Sequence, residues 1–358
     1  MKSRSWVEIS ATNLRHNLKA IRSRLGEGTA ILPVVKANAY GHGLLQVAGL
    51  LRREGISGFA VAAPAEGVEL RKAFAESEIL VFGGWQPHEV ETFIEHRLTA
   101  TAHDPRPVPP GLDVQVKIDT GMGRIGIPWE EAAAFLSHPP ARVRGVYSHL
   151  ARAELDTDFT RLQVERFLNA TRHSPQRRHI ANSAGLRFPE AHLDLVRVGL
   201  ALYGVAPCPG FEDLRPALVW NSRLMAVRRI KAGQWLGYGT SFQSQRESVI
   251  GVVPVGYADG YPRSLSNRAD VLVRGRLARV VGTVTMDLTC IDVTGIEGVA
   301  PGTEVELLSG DPNSVLSCTA LARLGDTIPH AILTGIGPRV QRRYISAPDT
   351  ESSQSTTG

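Results

Sequence analysis

The chain is poor in cysteine and lysine, and it has no long run of apolar residues. Its three cysteines, Cys208, Cys290 and Cys318, stand far apart in 358 residues. Their odd number and wide spacing fit neither a disulfide framework nor a Cys-x-x-Cys metal site, so we expect unpaired cysteines and no bound metal. No apolar stretch reaches the roughly 18 residues that a membrane-spanning helix needs, which argues against a membrane protein.

Residues 1–8 are polar and helix-like, and they lack the apolar stretch of a secretory signal peptide. We therefore expect the protein to stay in the cytoplasm. The formal net charge is +5, but basic and acidic residues are mixed and no block of lysine or arginine occurs. A solvated surface explains this charge better than binding to nucleic acid does.

Lysine is scarce: only six of the forty basic residues are lysines. The chain uses arginine wherever a general positive charge suffices, so a lysine that is kept can indicate a need for amine chemistry. This filter directs attention to Lys36 and Lys117, which both lie at predicted strand ends.

Short β-rich runs alternate with amphipathic helical stretches in the first two-thirds of the chain. The predicted strands cover residues 30–36, 57–62, 78–83, 97–101, 113–119, 142–148, 178–182 and 194–199. Apolar residues at helical spacing predict helices over 11–25 and 43–54, and Gly55 can end the second. Eight such strands are typical of a (β/α)8 TIM barrel. Counting alone leaves an open doubly wound sheet as the alternative, but no Gly-x-Gly-x-x-Gly follows the first strand.

From about Leu218 the pattern changes to strands separated by Gly, Pro or Asp turns. Strands are predicted over 223–230, 247–256, 270–274, 277–285, 288–293 and 303–308, with a short helix near 314–324. We therefore expect an α/β protein with a barrel over 9–217, followed by a mostly β C-terminal domain that combines 1–8 with 218–346. The polar segment 347–358 is predicted to be a disordered tail.

Polar clusters follow several of the predicted barrel strands, at the end where barrels of this type carry their function. In chain order they are Lys36, Lys117–Arg124, His149, Asn182-Ser183 and Arg197–Leu200. A lysine can form a Schiff base with an aldehyde when its pKa is lowered. Hydroxyl and backbone N–H groups suit a phosphate, and arginine suits other anionic groups. Together these groups predict a phosphorylated aldehyde cofactor, pyridoxal phosphate.

The segment Val34–Gly43 is similar to the pyridoxal-phosphate attachment segment of alanine racemases. Further similar stretches follow in the family's order over nearly the whole chain: Lys117–Gly126, Gly145–His149, His179–Ala184, Arg197–Gly204, Leu236–Gly239, Val255–Gly260, Gly282–Asp287 and Pro338–Val340. The sequence is identified as a member of that family by resemblance. This implies an isomerase that interconverts L-alanine and D-alanine and supplies D-alanine for peptidoglycan.

The resemblance implies two catalytic bases. Lys36 looks like the Schiff-base lysine and the first base, and Tyr238 looks like the second, reaching in from the partner subunit of a homodimer. One base on a single face of Cα tends to restore the original hand, whereas two bases on opposite faces can alternate as acid and base. The phenol, with a reference pKa of ~10, needs cationic neighbours, for which His149 and Arg197 are the candidates.

The other implied roles concern cofactor and substrate. Cofactor contacts fall on Tyr40, His149, Asn182, Ser183, Arg197, Gly199 and Leu200, with His179 supporting Arg197. Substrate contacts fall on Arg124, Tyr257, Met286 and Asp287. An arginine facing the pyridine nitrogen can only donate a hydrogen bond. Arg197 is therefore expected to keep that nitrogen unprotonated, which disfavours side reactions such as transamination.

Three positions leave questions open. Lys117 matches a residue that is carbamylated in some members, and an ion pair with Asp119 is the alternative explanation. Thr285 stands where members often carry cysteine, before the Met-Asp pair. Pro338 stands where some members place a tyrosine that helps anchor the phosphate, so we expect lower cofactor affinity.

Competing functions differ in what lies opposite the cofactor. Racemases of serine, lysine or arginine, or of broader specificity, are open alternatives because alanine is chosen by resemblance alone. Decarboxylases of this architecture place a cysteine where Tyr238 stands. A non-catalytic pyridoxal-phosphate-binding protein would resemble the barrel alone, and the β domain with Tyr238 and Met286 argues against it. Of the remaining polar residues, we expect His42 to be an exposed turn residue, Tyr261 to be buried and Asp259 to hold a turn.

Overall fold

The computed structural model describes residues 3–138 and 142–345, so the predicted tail 347–358 lies outside the described residues. Two compact units divide the described chain. The barrel unit holds Asn17–Leu202 and Ala206–Leu214. The β unit holds the described residues up to His16, Tyr203–Val205, and the described residues from Arg215 onward.

Strands are numbered in chain order. They are β1 (Ser5–Ser10), β2 (Ala30–Pro33), β3 (Gly58–Val61), β4 (Glu78–Val81), β5 (Ala100–Ala102), β6 (Val114–Asp119), β7 (Ile127–Pro128), β8 (Val143–Tyr147), β9 (Arg177–His179), β10 (Leu195–Val198), β11 (Leu218–Arg223), β12 (Ala226–Ile230), β13 (Trp235–Leu236), β14 (Phe242–Gln243), β15 (Ser248–Val253), β16 (Asp270–Val273), β17 (Arg276–Val280), β18 (Thr289–Asp292), β19 (Glu304–Leu308) and β20 (Gln341–Ile345).

Helices are numbered in the same way. They are α1 (Ala11–Arg22), α2 (Lys36–Tyr40), α3 (Leu44–Arg53), α4 (Pro64–Ala73), α5 (Val90–Glu95), α6 (Trp129–Ser137), α7 (Thr157–Ala170), α8 (Cys318–Leu324) and α9 (Pro329–Thr334). Short 3₁₀ turns occupy Pro87–Glu89, Ala184–Arg187, Pro189–Ala191, Leu200–Tyr203, Tyr238–Thr240 and Arg263–Leu265. Among the residues described, no helix combines the length and apolar character needed to cross a bilayer.

Eight parallel strands close into a barrel, as the sequence predicts. β3 pairs with β4, and β5, β6, β8 and β9 pair in succession, all parallel. Single bridges, Val34 to Ala60 and Leu80 to Thr99, join β2 to β3 and β4 to β5. The N–H of Arg197 bonds to the Ala181 carbonyl at 3.0 Å, beside the β9–β10 edge.

The ring closes where the first barrel strand meets the last. β2 pairs with β10 in parallel register, with Ala30 opposite Leu195 and Pro33 opposite Val198. The helices predicted at 11–25 and 43–54 form as α1 and α3. Gly55 follows α3 with a φ of 84°, a left-handed conformation that glycine adopts without strain and that commonly ends a helix.

The β unit is built on a nine-stranded sheet in the order β12-β15-β18-β17-β16-β19-β11-β1-β20. Its neighbours are antiparallel except for β1 and β20. The helix-like prediction for residues 1–8 is wrong, because Ser5–Ser10 is a strand paired on both sides. Trp6, Val7 and Ile9 are buried in it.

Two other β-unit predictions need correction. The single strand predicted at 223–230 is two strands, β11 and β12, separated at Leu224 and Met225. The helix predicted near 314–324 forms as the shorter α8, and α9 follows it without having been predicted. Tyr261 is buried as expected and packs edge-on against Trp220, with ring centroids 6.1 Å apart.

Candidate active site

Lys36 lies just beyond β2, at the start of a left-handed turn. The sequence predicts that the strand runs through Lys36, but it ends at Pro33. Ala37, Asn38, Ala39 and Tyr40 have φ values of 52°, 55°, 52° and 52°. L-residues disfavour this conformation by about 1–2 kcal/mol each, so surrounding contacts must hold it.

Several hydrogen bonds hold the turn. The N–H of Gly41 bonds to the Ala37 carbonyl at 3.0 Å. The Asn38 Oδ1 atom accepts the N–H of Leu44, the first residue of α3, at 2.8 Å. The Glu66 carboxylate accepts the N–H of Ala37 at 2.6 Å. No feature of the sequence indicated this contact.

Lys36 is half-buried, and its amine is easier to deprotonate than that of a free lysine. Burial lowers the pKa of Lys36, the positive charge of Arg124 lowers it further, and Glu66 opposes both by raising it. A larger share of neutral amine suits a lysine that acts as a nucleophile or a base.

A cradle of neutral donors forms where the turn after β2 meets the loop after β10. A Cβ atom on Gly199 would lie 2.5 Å from the Tyr40 Oη atom, an approach that only glycine permits. The Ser183 Oγ atom accepts the N–H groups of Gly199 at 3.1 Å and Ala201 at 3.3 Å. Burial raises the pKa of Tyr40 to about 12, which keeps its hydroxyl protonated. Because Ser183 Oγ accepts both N–H groups, its own O–H can point elsewhere, and hydroxyl donors such as those of Ser183 and Tyr40 fit a phosphate group.

Two other predicted cofactor residues border this cradle. Leu200 is buried and begins the 3₁₀ turn Leu200–Tyr203. The Asn182 side chain is occupied locally: its Oδ1 accepts the Gly185 N–H at 2.9 Å, and its Nδ2 donates to the Leu150 carbonyl at 3.3 Å.

A chain of hydrogen bonds runs from the buried Arg197 to a partly exposed ion pair between Glu78 and Arg177. Arg197 Nη1 donates to His179 Nδ1 at 2.5 Å, and His179 Nε2 lies 2.7 Å from Gln115 Oε1. Gln115 Nε2 donates to Glu78 Oε1 at 3.3 Å, and Arg177 Nη1 donates to Glu78 Oε2 at 3.0 Å. An arginine has no acceptor, so His179 must accept at Nδ1 and carry its proton on Nε2.

The same environment keeps both predicted histidines neutral. Burial and the charge of Arg197 hold the pKa of His179 well below its usual range. Burial and four cationic neighbours, Arg197 first among them, do the same for His149. Arg197 Nη2 lies 3.4 Å from His149 Nδ1, which leaves the proton of His149 on Nε2.

Arg197 itself is fixed on several sides. Its Nη2 atom donates to the carbonyl oxygens of Ser148 at 2.6 Å and Ile180 at 3.2 Å. Its guanidinium lies 5.0 Å from the centre of the Tyr147 ring, which in turn stacks on His179. Burial lowers the pKa of Arg197 to about 10, which still leaves it charged at neutral pH.

Lys117 points its amine at the loop that carries Arg124. Its Nζ atom donates to the Ile125 carbonyl at 2.8 Å, rather than to Asp119. The Asp119 carboxylate instead accepts backbone N–H groups of the same loop, including those of Gly121 and Met122 at 2.9 Å. Burial, and then the charge of Arg124, lower the pKa of Lys117 to about 8. The exposed Arg124 therefore stands on a loop that is tied down at both ends.

The β unit presents its predicted side chains to solvent. Tyr238 is 76% exposed, Met286 54% and Tyr257 45%. Gly237 and Gly239 flank Tyr238 with φ values of 73° and 69°, so a tight turn displays the phenol.

The Tyr257 and Met286 segments are bonded to each other. The N–H of Tyr257 bonds to the Thr285 carbonyl at 3.0 Å, and that of Ala258 bonds to the Met286 carbonyl at the same distance. Thr285 Oγ1 also donates to the Leu288 carbonyl at 2.9 Å. The hydroxyl thereby closes the turn that carries Met286.

Arg339 is a β-unit residue that the sequence analysis missed. It donates from Nε to Asp259 at 3.1 Å and from Nη1 to Asp287 at 2.9 Å. Asp259 also accepts the Gly256 N–H at 2.9 Å, so it holds a turn as expected.

His42, in the barrel unit, is buried rather than exposed, and its Nδ1 lies 2.9 Å from the Tyr40 carbonyl.

Comparison with known proteins covers almost the whole chain. The family model of the alanine racemase N-terminal domain matches residues 9–207, and that of the C-terminal domain matches 217–344. The alanine racemase of Carboxydothermus hydrogenoformans is 39% identical, over 95% of this chain and 99% of its own length. The crystal structure of alanine racemase from Streptomyces lavendulae is 32% identical with a TM-score of 0.88, covering 97% of this chain and 98% of that one. Alanine racemase from Bartonella henselae with covalently bound pyridoxal phosphate is 27% identical with the same TM-score, covering 96% and 100%.

Proposed function

This chain belongs to the alanine racemase family, and from that premise we propose how its own residues interconvert L-alanine and D-alanine. The isomerase activity itself follows from similarity to alanine racemases along nearly the full length. The observation that carries the assignment of residues is the barrel-unit cluster: a half-buried lysine, a cradle of neutral donors, and a buried arginine.

Pyridoxal phosphate fits this cluster. Gly199, Ser183 and Tyr40 would hold the phosphate, Lys36 Nζ would hold the aldehyde carbon, and Arg197 would face the pyridine nitrogen. When bound, the cofactor draws electrons away from the substrate Cα–H bond and makes that proton removable. Arg197 has donors and no acceptors, so it would donate a hydrogen bond to the ring nitrogen and disfavour its protonated form. The relative from Bartonella henselae, which carries covalently bound pyridoxal phosphate, supports this choice.

Proton transfer is assigned to two residues. Lys36 Nζ removes or returns the Cα proton on one face, and Tyr238 Oη of the partner subunit does so on the other. The exposure of Tyr238 on a tight turn supports a role toward a second chain. His149 keeps its proton on Nε2, and that N–H can stabilise the phenolate form of Tyr238.

The substrate carboxylate is assigned to Arg124 and the Met286 turn. The loop carrying Arg124 is tied by Lys117 and Asp119. We propose that Lys117 forms a carbamate, since its lowered pKa provides the neutral amine that reacts with carbon dioxide. Tyr257 and Asp287 would border the substrate beside Met286.

The remaining assignments concern the molecule as a whole. The barrel part, with proposed bounds 9–217, binds the cofactor, and the β part, 1–8 with 218–346, supplies the second base. The enzyme works as a cytoplasmic homodimer with shared active sites, and its D-alanine serves peptidoglycan. The exposed Tyr238 and Met286 side chains support the homodimer.

A substrate panel tests the function. Purified full-length protein with pyridoxal phosphate is given single enantiomers of alanine, serine, lysine and arginine, and chiral chromatography follows each conversion. We expect alanine to be racemised in both directions at the highest kcat/KM. A faster reaction of another amino acid would reassign the substrate. Binding of the cofactor with no conversion of any of the four would instead support the non-catalytic alternative.

A further inference from the structure

Glu66 has no role in the sequence assignments, yet its carboxylate holds the segment that carries Lys36. Its Oε1 atom accepts the N–H of Ala37 at 2.6 Å. Its Oε2 atom accepts the N–H groups of Ala62 at 2.9 Å and Ala63 at 3.2 Å. Ala37 lies beyond β2 and Ala62 directly follows β3. One carboxylate therefore ties together the chain segments that leave two neighbouring barrel strands.

The Lys36 segment needs such a tie because its backbone is in an unfavourable conformation. Four consecutive non-glycine residues, from Ala37 to Tyr40, have positive φ values. Strained backbone of this kind persists only where surrounding contacts over-determine it. Hydrogen bonds from backbone N–H groups to a carboxylate are stronger than those to neutral acceptors. Glu66 accepts such a hydrogen bond from the peptide N–H that joins Lys36 to Ala37, the first left-handed residue.

Glu66 also bears on the charge around the lysine. Arg124, from the loop after β6, acts on Lys36 with a positive charge, and Glu66, from α4, acts with a negative one. His149, from the loop after β8, is held neutral by burial and its cationic neighbours. Glu66 is thus the acidic group that offsets Arg124 at this amine.

We propose that Glu66 is a positioning residue for the racemase reaction, whose carboxylate fixes the peptide after Lys36 in its left-handed turn and so sets where the lysine amine points. The proposal rests on the proposed function of Lys36. It gives Glu66 no contact with substrate or cofactor. Its effect reaches the reaction through the backbone of the turn and through the charge balance at Lys36.

Three variants separate these effects. Glu66→Gln keeps the size of the side chain but replaces one acceptor oxygen with an NH₂ group that faces backbone N–H donors. Glu66→Asp keeps the charge but is one methylene shorter, so it loses the reach between the two segments. Glu69→Gln, at an exposed position on the same helix α4, is the matched control.

Two readouts are taken on the full-length protein. The first, on the form without cofactor, is the pH midpoint at which Lys36 becomes reactive toward acetic anhydride, read by peptide mass spectrometry. The second, on the cofactor-loaded enzyme, is kcat and KM for L-alanine. We expect Glu66→Gln to move the midpoint to lower pH and to reduce kcat about tenfold, with KM within about twofold, because small misplacements of reacting groups are costly in rate. Glu66→Asp should reduce kcat while keeping the wild-type midpoint.

The outcomes decide the proposal in each case. If Glu66→Gln matches Glu69→Gln in both the midpoint and kcat, Glu66 is not a positioning residue. If Glu66→Gln does not fold, Glu66→Asp decides, because an unchanged kcat would overturn the proposal. A Lys36→Ala enzyme that kept full activity would overturn the proposed function of Lys36, whereas the midpoint in Glu66→Gln would still test the effect of Glu66 on the Lys36 amine.

Discussion

The candidate side chains of the two units differ in how far they are exposed to solvent. In the barrel unit, Arg197, His179 and Ser183 are 2%, 0% and 7% exposed, and each is hydrogen bonded within that unit. In the β unit, Tyr238 and Met286 are 76% and 54% exposed. The candidate groups of the barrel unit are thus fixed before any ligand binds, whereas the β unit presents Tyr238 and Met286 to solvent on two separate turns. Because chemistry at Cα benefits from exclusion of water, the displayed groups need a covering surface, which agrees with the proposed homodimer.

The largest effect is expected from replacing Lys36 in the cluster of the barrel unit. Lys36→Ala should remove the absorbance band of the protein-bound cofactor and reduce kcat by at least about 10⁴-fold, because it removes the covalent anchor and one base together. Absorbance spectra and chiral conversion assays measure both. Lys72→Ala, which removes an exposed lysine of α4, serves as the control and should change neither. A normal cofactor band in Lys36→Ala would overturn the central assignment.

The next largest effect is expected from Tyr238→Phe, which alters the exposed phenol of the β unit. Removing one proton-transfer group should reduce the rate from L-alanine about 10³-fold, while the barrel unit and its cofactor band stay unchanged. Tyr344→Phe alters another tyrosine of the β unit, on β20 and 41% exposed, and should behave as wild type. Equal rates in the two variants would show that the β unit supplies no base through Tyr238.

A smaller effect is expected at Lys117, which bonds to the loop that carries Arg124. With a pKa of about 8, roughly a tenth of Lys117 is neutral at pH 7 and about half at pH 8. Uptake of ¹³C-labelled bicarbonate into a carbamate should therefore increase as the pH rises from 7 to 9, as measured by ¹³C NMR. Lys117→Arg cannot form the carbamate and should lower kcat/KM about tenfold, the effect of losing a charge-assisted hydrogen bond. A labelled signal that persisted in Lys117→Arg would place the carbamate elsewhere.

The smallest effect is expected at Gln115, which is buried in the barrel unit. Gln115→Leu removes the acceptor for the His179 Nε2–H and leaves that buried donor without its partner. The loss of about 1 kcal/mol corresponds to about a fivefold fall in kcat. NMR of ¹⁵N-labelled histidine would detect the lost hydrogen bond at His179 Nε2. Unchanged spectra and rate would mean that Arg197 alone orients the ring.

The sequence predicted the barrel because each strand is a short buried run between amphipathic helices. Strand limits moved by a few residues, as at β5 and β9, since pairing with neighbours decides where a strand begins and ends. β1 was mistaken for helix-like sequence. Its short run of Trp6, Val7 and Ile9 becomes a strand through β11 and β20, which are remote in sequence.

Some residues of the candidate site could also be predicted from the sequence, and others could not. Lys36, Ser183 and Arg197 could be singled out because they follow or end strands and have side chains suited to the cofactor. The left-handed turn could not be predicted, since Ala-Asn-Ala-Tyr has no local preference for it. The contacts of Glu66 with Ala37 and of Arg339 with Asp259 were missed because only tertiary structure brings these residues together.

The closure between β2 and β10 also has a consequence for the order of folding. The cradle joins Tyr40, near the beginning of the chain, to Gly199, which follows the last barrel strand. Contacts between residues so remote in sequence form late, because a large loop must close first. During synthesis, this cradle therefore cannot form until β10 has left the ribosome. A ligand that binds only the completed cradle would stabilise the closed ring over every partly folded chain.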